Sequence, residues 1–359
     1  MVRDVGIGII GANPDSGWAF TAHVPAIEAT AGVRVAAVST TRAETAKRAA
    51  AMLNGVAWYT DGTALAADPG VDVVLVAVKV PHHDELIRAA VGAGKHVLSE
   101  WPLGATTREA ENLQALTDTA GVHGFISLQG RSDPAIRAAQ QFIASRLGDL
   151  VAVAVRSSRV KGHAVSEAAA YTLDVRSAAG NLEVHGGHII DLVQTLLPDL
   201  KVSSGRTGLV ATIHTVAETG AVVSATSPDV FQANLTHTSA GQQGIGTITA
   251  WDGDLDAETE IVITGTTGQV RLRTTNPGSP RLRQPQMAPF AGELVTADSR
   301  QELIPAADPL PVAARNIAPL YAAIARDLRQ GTALAPTFHD AVALHKALDV
   351  VRSGSVAAE

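Results

Sequence analysis

The feature that most limits how this chain can fold is an alternation running through its first third. Short runs dominated by Val, Ile, Leu and Ala, at Val5–Ile10, Val33–Val38, Val56–Tyr59, Val73–Val78, His96–Ser99 and Phe125–Ser127, read as strands. Between them lie segments with helical spacing, at Ala22–Thr30, Ala43–Leu53, Thr63–Ala67, His83–Ala93 and Thr107–Ala120. A strand apolar on both faces must be covered on both, and crossover helices supply that cover. Residues 1–128 are therefore predicted to form an α/β, doubly wound parallel sheet of the Rossmann type.

After residue 128 the pattern changes. Pro134–Ser145 reads as helix, Leu150–Ser157 as strand and Leu182–Leu197 as helix. Strand-like segments follow at Gly208–Ile213, Ala221–Thr226, Gln232–Thr238, Gly246–Thr249, Glu260–Thr264 and Gln269–Leu272, with turn signals at Asp252-Gly253 and Gly265–Gly268. Asn276–Pro311, rich in proline and polar residues, reads as a long loop. Pro311–Gln330 and Thr337–Arg352 read as helices that can pack back on the first domain. Residues 129–359 are thus expected to form a second, α+β domain dominated by antiparallel strands, and 359 residues leave room for two cores.

Charge and composition remove several functions. Lys and Arg number 28 against 35 Asp and Glu, for a net charge of −7 without a basic run, so neither nucleic acid nor an anionic membrane is an expected partner. Asp4 interrupts any leader-like start, and the apolar runs are too short to span a bilayer. The absence of cysteine excludes disulfides, thiolate nucleophiles and thiolate-bound zinc, and it is compatible with a cytoplasmic setting, the expected compartment.

The stretch GIGIIGANPDSGW contains a literal G-x-G-x-x-G at Gly6, Gly8 and Gly11. A phosphate loop must follow a strand and open a helix, because N–H groups at the helix start hold the pyrophosphate. Gly6 and Gly8 fall inside the strand, which makes Gly11 the first fingerprint glycine. Asn13 then takes the second position, as a residue that tolerates left-handed turns, and Gly17 arrives one residue late. Gly11, Asn13, Ser16, Gly17 and Trp18 are the expected cofactor contacts; an ordinary glycine turn is the competing reading. The second strand ends in Ser39-Thr40-Thr41-Arg42 with no carboxylate for a ribose. Ser39, Thr40 and Arg42 suit a 2′-phosphate, so NADP is expected over NAD, unless Arg42 merely opens a solvated helix.

Four stretches together resemble one family: the loop above, AVKVPHHDE (Ala77–Glu85), GKHVLSEWPLG (Gly94–Gly104) and GNLEVHGGHIID (Gly180–Asp191). The chain resembles the glucose–fructose oxidoreductase / inositol dehydrogenase / MocA (Gfo/Idh/MocA) family from end to end, and GTTGQVRL (Gly265–Leu272) fits its later pattern. The resemblance implies an open, mainly antiparallel C-terminal sheet, a nicotinamide cofactor, a sugar-like or cyclic polyol substrate, and a homodimer or homotetramer built on the outer face of that sheet. NPDSGWAFTAHVPAI, SEWPL, ISLQGR and GGHIID resemble the branch of the fungal galactose-pathway repressor, a nucleotide-binding regulator that acts through a protein partner.

Two departures matter. The family motif E-K-P is here Glu100-Trp101-Pro102, and the Asp that the family places four residues before a His is here Val184, ahead of His188. Tryptophan donates an N–H but delivers no proton at neutral pH. His188 is the expected general acid/base, with Lys79 or Lys161 as a replacement for the missing lysine. Lys79, His82, Glu100 and Trp101 are further expected cofactor contacts. Trp101, Lys161, Tyr171, Asp174, His185 and His188 are expected at the substrate. A metal held by His185 with Glu183 or Asp191 lacks a third evident ligand, so none is expected. Three readings follow: an NADP-dependent oxidoreductase acting on a hydroxyl or carbonyl, a non-catalytic nucleotide-binding regulator, and a redox-neutral enzyme with a retained cofactor.

Overall fold

The computed structural model describes residues 3–15, 17–239, 242–253, 257–275, 278 and 282–354. The chain divides into two compact units, Met1–Gln129 with Asp308–Ala343, and Gly130–Ala307 with Leu344–Glu359.

In the first unit the apolar runs become six parallel strands: β1 (Val5–Ile10), β2 (Val33–Ser39), β3 (Ala57–Tyr59), β4 (Val73–Val76), β5 (His96–Ser99) and β6 (Gly124–Ile126). Their order is β3-β2-β1-β4-β5-β6, so the winding reverses between β1 and β4, where a doubly wound sheet binds its ligands at the carboxyl edge. Every residue of β1 and β4 is buried, as strands covered on both faces require. The helix expected over 22–30 starts earlier, as a π-helical turn at Ala19–His23 followed by Val24–Glu28. Helix Ile317–Gln330 also belongs to this unit. Its Arg329 donates to the carbonyls of Arg3 and Gly32 at 3.0 and 2.8 Å.

The strands of the second unit are β7 (Leu150–Val160), β8 (Ala164–Val165), β9 (Leu200–Gly208), β10 (Ile213–Val216), β11 (Val222–Ser224), β12 (Val230–Ser239), β13 (Gln242–Gly253), β14 (Glu258–Gly265), β15 (Gly268–Thr274), β16 (Phe290–Thr296) and β17 (Arg300–Leu303). Eight form one sheet in the order β17-β16-β15-β14-β7-β13-β12-β9, antiparallel throughout except for the β7–β13 pair. The other three form a small sheet, β11-β10-β8.

Three sequence expectations are corrected. Gly208–Ile213 is no strand of its own: Gly208 ends β9, Ile213 opens β10, and residues 209–212 connect them, because the Asp229 carboxylate accepts the N–H groups of Val210 and Ala211 at 2.8 and 2.7 Å and holds that segment out of the sheet. The loop expected over 276–311 contains β16 and β17; only Phe290 and Leu294 of β16 are buried, too few apolar positions to stand out between proline-rich flanks. Asp252-Gly253 is no turn: it ends β13 and still pairs with Arg159 and Val160 of β7.

The buried face of the large sheet changes character along the strands. On β7, Val153 and Val155 give way on the same face to Ser157 and Arg159, then to Lys161 just past the strand. The neighbours change in step, from Ile248 and Ala250 to Asp252 on β13, from Ile263 and Ile261 to Thr259 on β14, and from Val270 and Leu272 to Thr274 on β15. An apolar core thus passes into a polar layer at one end of the sheet.

Candidate functional site

In the first unit the candidate site is the turn after β1. Gly11 has φ +90°, and a Cβ there would collide with the carbonyl oxygen of Ala77, so both the turn and the packing demand glycine. Gly6 and Gly8 have a different reason to be glycine: side chains at those positions would strike Gly70 and Val71. The turn hangs on β2, with the N–H groups of Gly11 and Ala12 both reaching the Ser39 carbonyl at 3.0 and 3.1 Å. Asn13 organises the rest. Its side chain accepts the Asp15 N–H at 3.1 Å and its carbonyl accepts that of Gly17 at 2.9 Å. Ser16 lies outside the described residues. Asp15 would repel a phosphate, but Arg48 pairs with it. The helix that follows has no side-chain cap at its start. A glycine turn on the carboxyl edge of the sheet that opens an uncapped helix is the donor set a pyrophosphate needs. Among the described residues the Trp18 indole N–H is buried without a hydrogen-bond partner.

At the end of β2 the Ser39 side chain is buried, so its carbonyl, holding the loop, is the part in use. The Thr40 hydroxyl donates to the Arg42 carbonyl at 2.9 Å. Arg42 is exposed, and its guanidinium forms no hydrogen bond or ion pair with another described residue.

Past β5 lies an arrangement that the sequence did not reveal. His23, fully buried, places Nε2 2.9 Å from Glu100 Oε1 and Nδ1 2.8 Å from the Tyr321 hydroxyl. With Glu100 ionised, Nε2–H donates to the carboxylate and Nδ1 accepts from the phenol. Burial and the Glu100 charge push the Tyr321 hydroxyl well above its ordinary range, which keeps it a donor. The helix after the loop is thereby tied to the residue that precedes Trp101. The Trp101 indole is buried, 5% exposed, and the Trp101-Pro102 bond is cis. Lys79 and His82 are exposed, with His82 beside Glu85 at 3.3 Å. His83 is enclosed between Val78 and Leu103 carbonyls at 3.1 and 3.3 Å, and burial lowers its pKa.

In the second unit the candidate groups lie in the polar layer. His185 and His188 lie on the helical segment formed by a π-helical turn, Asn181–Gly186, and the helix Gly187–Leu196, and both are buried. π-Helical turns are frequent at functional sites, and among the described residues each unit has one. His185 Nε2 lies 2.8 Å from Ser157 Oγ, which lies 2.6 Å from Thr259 Oγ1. Burial, followed by the charge of Arg159 and the field of His188, holds the His185 pKa well below its usual value. Its Nδ1, Asn181 Oδ1 and Ser227 Oγ are buried without partners among the described residues.

Asp252 centres the charged part of the layer. It accepts from Arg159 Nε and Nη2 at 2.8 and 2.9 Å and from Asn181 Nδ2 at 2.5 Å, with Lys161 Nζ at 3.6 Å. Tyr171 is half-buried, and burial raises its pKa. Asp174 accepts the Arg176 N–H and pairs with the Arg176 side chain, which holds its pKa at about 2; its carboxylate is committed to a local turn. The residues weighed for a metal have different partners: Asp191 binds Arg131 at 2.6 Å, Glu183 binds Arg352 at 3.3 Å, and His185 binds Ser157. Among the described residues no cluster of three or more His, Asp or Glu is placed to hold a metal, and no helix is long and apolar enough to cross a membrane.

The sequence reading missed His23, Tyr321, Arg159, Asn181 and Asp252. A signal existed for three of them: His23 and Asn181 lie inside stretches that carried the family resemblance, and Arg159 continues the inward alternation of β7 past the expected strand end.

Known proteins share part of this sequence and its fold. Residues 5–127 match the Gfo/Idh/MocA family model, described as an oxidoreductase family with an NAD-binding Rossmann fold. Dehydrogenase aclE of Aspergillus oryzae is 29% identical over 221 residues, 58% of this chain and 59% of that protein. The galactose/lactose metabolism regulatory protein GAL80 of Saccharomyces cerevisiae is 24% identical over 52% of this chain and 46% of its own length. The matched region thus spans about half the length of these relatives. A crystal structure of Gal80p from that yeast superposes with a TM-score of 0.84 at 19% identity, covering 97% of this chain and 95% of the other. Levoglucosan dehydrogenase in complex with NADH and levoglucosan gives a TM-score of 0.79 at 17% identity, covering 97% and 96%. These structures share the fold of both units, and one is a regulator while the other is a dehydrogenase.

Proposed function

We propose that this chain, which belongs to the Gfo/Idh/MocA oxidoreductase family, transfers a hydride between NADP(H) and a small sugar-like or cyclic hydroxyl or carbonyl substrate. The observation that carries the reading is the turn after β1: Gly11 at φ +90° without room for a Cβ, followed by a helix start with no side-chain cap. A preference for NADP is supported by the exposed, uncommitted guanidinium of Arg42 at the end of β2. When bound, the nicotinamide supplies the hydride chemistry. What the chain must add is orientation and a partner for the substrate's proton, and the polar layer of the second unit offers His188 and Lys161. Of the two lysines considered, Lys79 is exposed, whereas Lys161 lies within that layer.

A second reading, a nucleotide-bound regulator, is favoured by one observation: the position of the family lysine holds a buried tryptophan, Trp101. The test is to incubate the protein with NADP⁺ and a panel of sugars, polyols and cyclic alcohols and to follow NADPH fluorescence, with His188→Ala alongside. The oxidoreductase reading expects a substrate-dependent rise that the variant loses. Tight NADPH binding with no rise across the panel would favour the regulator, and substrate consumption without net NADPH would favour a redox-neutral cycle.

A further inference from the structure

His23, Glu100 and Tyr321 form a chain of hydrogen bonds for which the proposed reaction has no use. We propose that Tyr321 and His23 hold Glu100 as a fixed carboxylate beside the nicotinamide, so that the chain carries the oxidised, cationic form of its cofactor in preference to the reduced, neutral one. The proposal rests on the nicotinamide-cofactor part of the reading above, and on residues of the first unit alone.

Glu100 follows β5, and its backbone N–H donates to the carbonyl of Val76, the last residue of β4, at 3.1 Å. The residue therefore lies at the carboxyl edge of these two strands. A doubly wound sheet of this order is two mononucleotide-binding halves: β1 to β3 take the adenosine, and β4 to β6 take the nicotinamide. The Glu100 side chain is 18% exposed, whereas His23 and Tyr321 are fully buried. The carboxylate is thus the member of the three that a ligand on the nicotinamide half can reach.

The contacts fix where the protons sit. Among the described residues the Tyr321 hydroxyl has one hydrogen-bond partner, His23 Nδ1 at 2.8 Å. A buried phenol O–H must donate, so Nδ1 accepts, and the imidazole carries its proton on Nε2, aimed at Glu100 Oε1 2.9 Å away. An imidazolium would cancel the Glu100 charge, but its Nδ1–H would leave the phenol O–H without an acceptor. Burial and the Glu100 charge hold the Tyr321 hydroxyl well above its ordinary pKa, in keeping with a donor. With a carboxylate ionised at neutral pH, the three groups together carry one negative charge that His23 does not neutralise. An oxidised nicotinamide ring is a cation and a reduced one is neutral, so this anion stabilises the first and leaves the second nearly untouched. Glu100 is the group that meets the ligand; His23 and Tyr321 are positioning residues that act through it.

The test needs no substrate. The full chain is titrated calorimetrically with NADP⁺, NADPH, NAD⁺ and NADH, and for each couple the Kd of the reduced form is divided by that of the oxidised form. In the parent this ratio should exceed one for the couple that binds. Glu100→Gln keeps an acceptor for His23 and loses only the charge; it should lower the ratio about tenfold, chiefly by weakening the oxidised form. Tyr321→Phe takes the donor from Nδ1 and loosens the ring that orients the carboxylate, so it should lower the ratio in the same direction by about threefold. A merely structural role would weaken both forms of a couple alike and leave the ratio where it was. Should Tyr321→Phe fail to fold, Glu100→Gln alone decides. A ratio unmoved in Glu100→Gln, equal losses of the two forms in either folded variant, or a parent that prefers the reduced form would each overturn the proposal. A parent that binds none of these dinucleotides would overturn the cofactor reading itself, an outcome distinct from a ratio that fails to move.

Discussion

The two sheets of this molecule place their polar and candidate site residues differently. In the first unit β1 and β4 are apolar along their whole length, and the candidate site residues Gly11, Arg42 and Glu100 lie beyond the strand ends. In the second unit the polar groups lie on the buried face itself, where Ser157, Arg159, Asp252 and Thr259 continue the rows begun by Val153, Val155, Ala250 and Ile261. A parallel sheet covered on both faces has no free face on which to seat polar groups, so it works from its edge. A sheet covered by a helical segment on one face can exchange core for site simply by changing side chains along a strand. The first design depends on backbone, the second on charges that must satisfy each other.

That contrast sets the largest expected effect. Gly11→Val should abolish NADPH binding, because a branched Cβ at φ +90° meets the Ala77 carbonyl and displaces the loop. It should also cost on the order of 3 kcal/mol of stability through strain and overpacking. Fluorescence titration and thermal melting read the two effects; unchanged NADPH affinity would show that the first unit's edge is not the cofactor site.

In the second unit, buried titratable groups should make stability depend on pH. His345 has a pKa of about 4, lowered by burial and then by Arg352, against 6.5 for a free imidazole. The folded state therefore binds fewer protons than the unfolded chain between those values. Stability is fully present above about pH 6.5 and is lost as pH falls toward about 4, by on the order of 3 kcal/mol. Denaturant unfolding of His345→Leu should show a pH dependence reduced by about that amount across this window. An unchanged dependence would assign the acid sensitivity to other groups, of which the buried His185 is the foremost in this unit.

The same contrast explains what could be read from sequence. The first sheet was legible strand by strand because uninterrupted apolar runs cannot be anything else once helices alternate with them. β16 and β17 were not, because their inward positions are few and their flanks resemble loop. Of the site, Gly11 was legible because a local rule governs it: a loop must follow a strand and open a helix. The contacts of His23 with Tyr321, 298 residues away, and of Arg159 with Asp252, 93 away, were not, since register and folding bring them together and no spacing encodes them. Asp252 was even misassigned, because Asp-Gly is a strong turn signal until β7 gives Asp252 a strand to pair with.

The smallest expected effect concerns a charge at the edge of the first sheet. Arg42 is exposed and uncommitted, so removing it leaves no buried group unsatisfied and should change stability little. Its value would lie wholly in the extra phosphate that separates NADP from NAD. An exposed charge-assisted contact of this kind is worth about 1–2 kcal/mol, so Arg42→Ala should weaken NADPH about tenfold while leaving NADH within about twofold. The difference should shrink as salt rises, because the pair is solvent-accessible. Equal losses for the two dinucleotides would remove the phosphate from this position and leave Arg42 as the solvated start of a helix. A selective, salt-sensitive loss would show that the choice between cofactors rests on a single side chain at the edge of the first sheet.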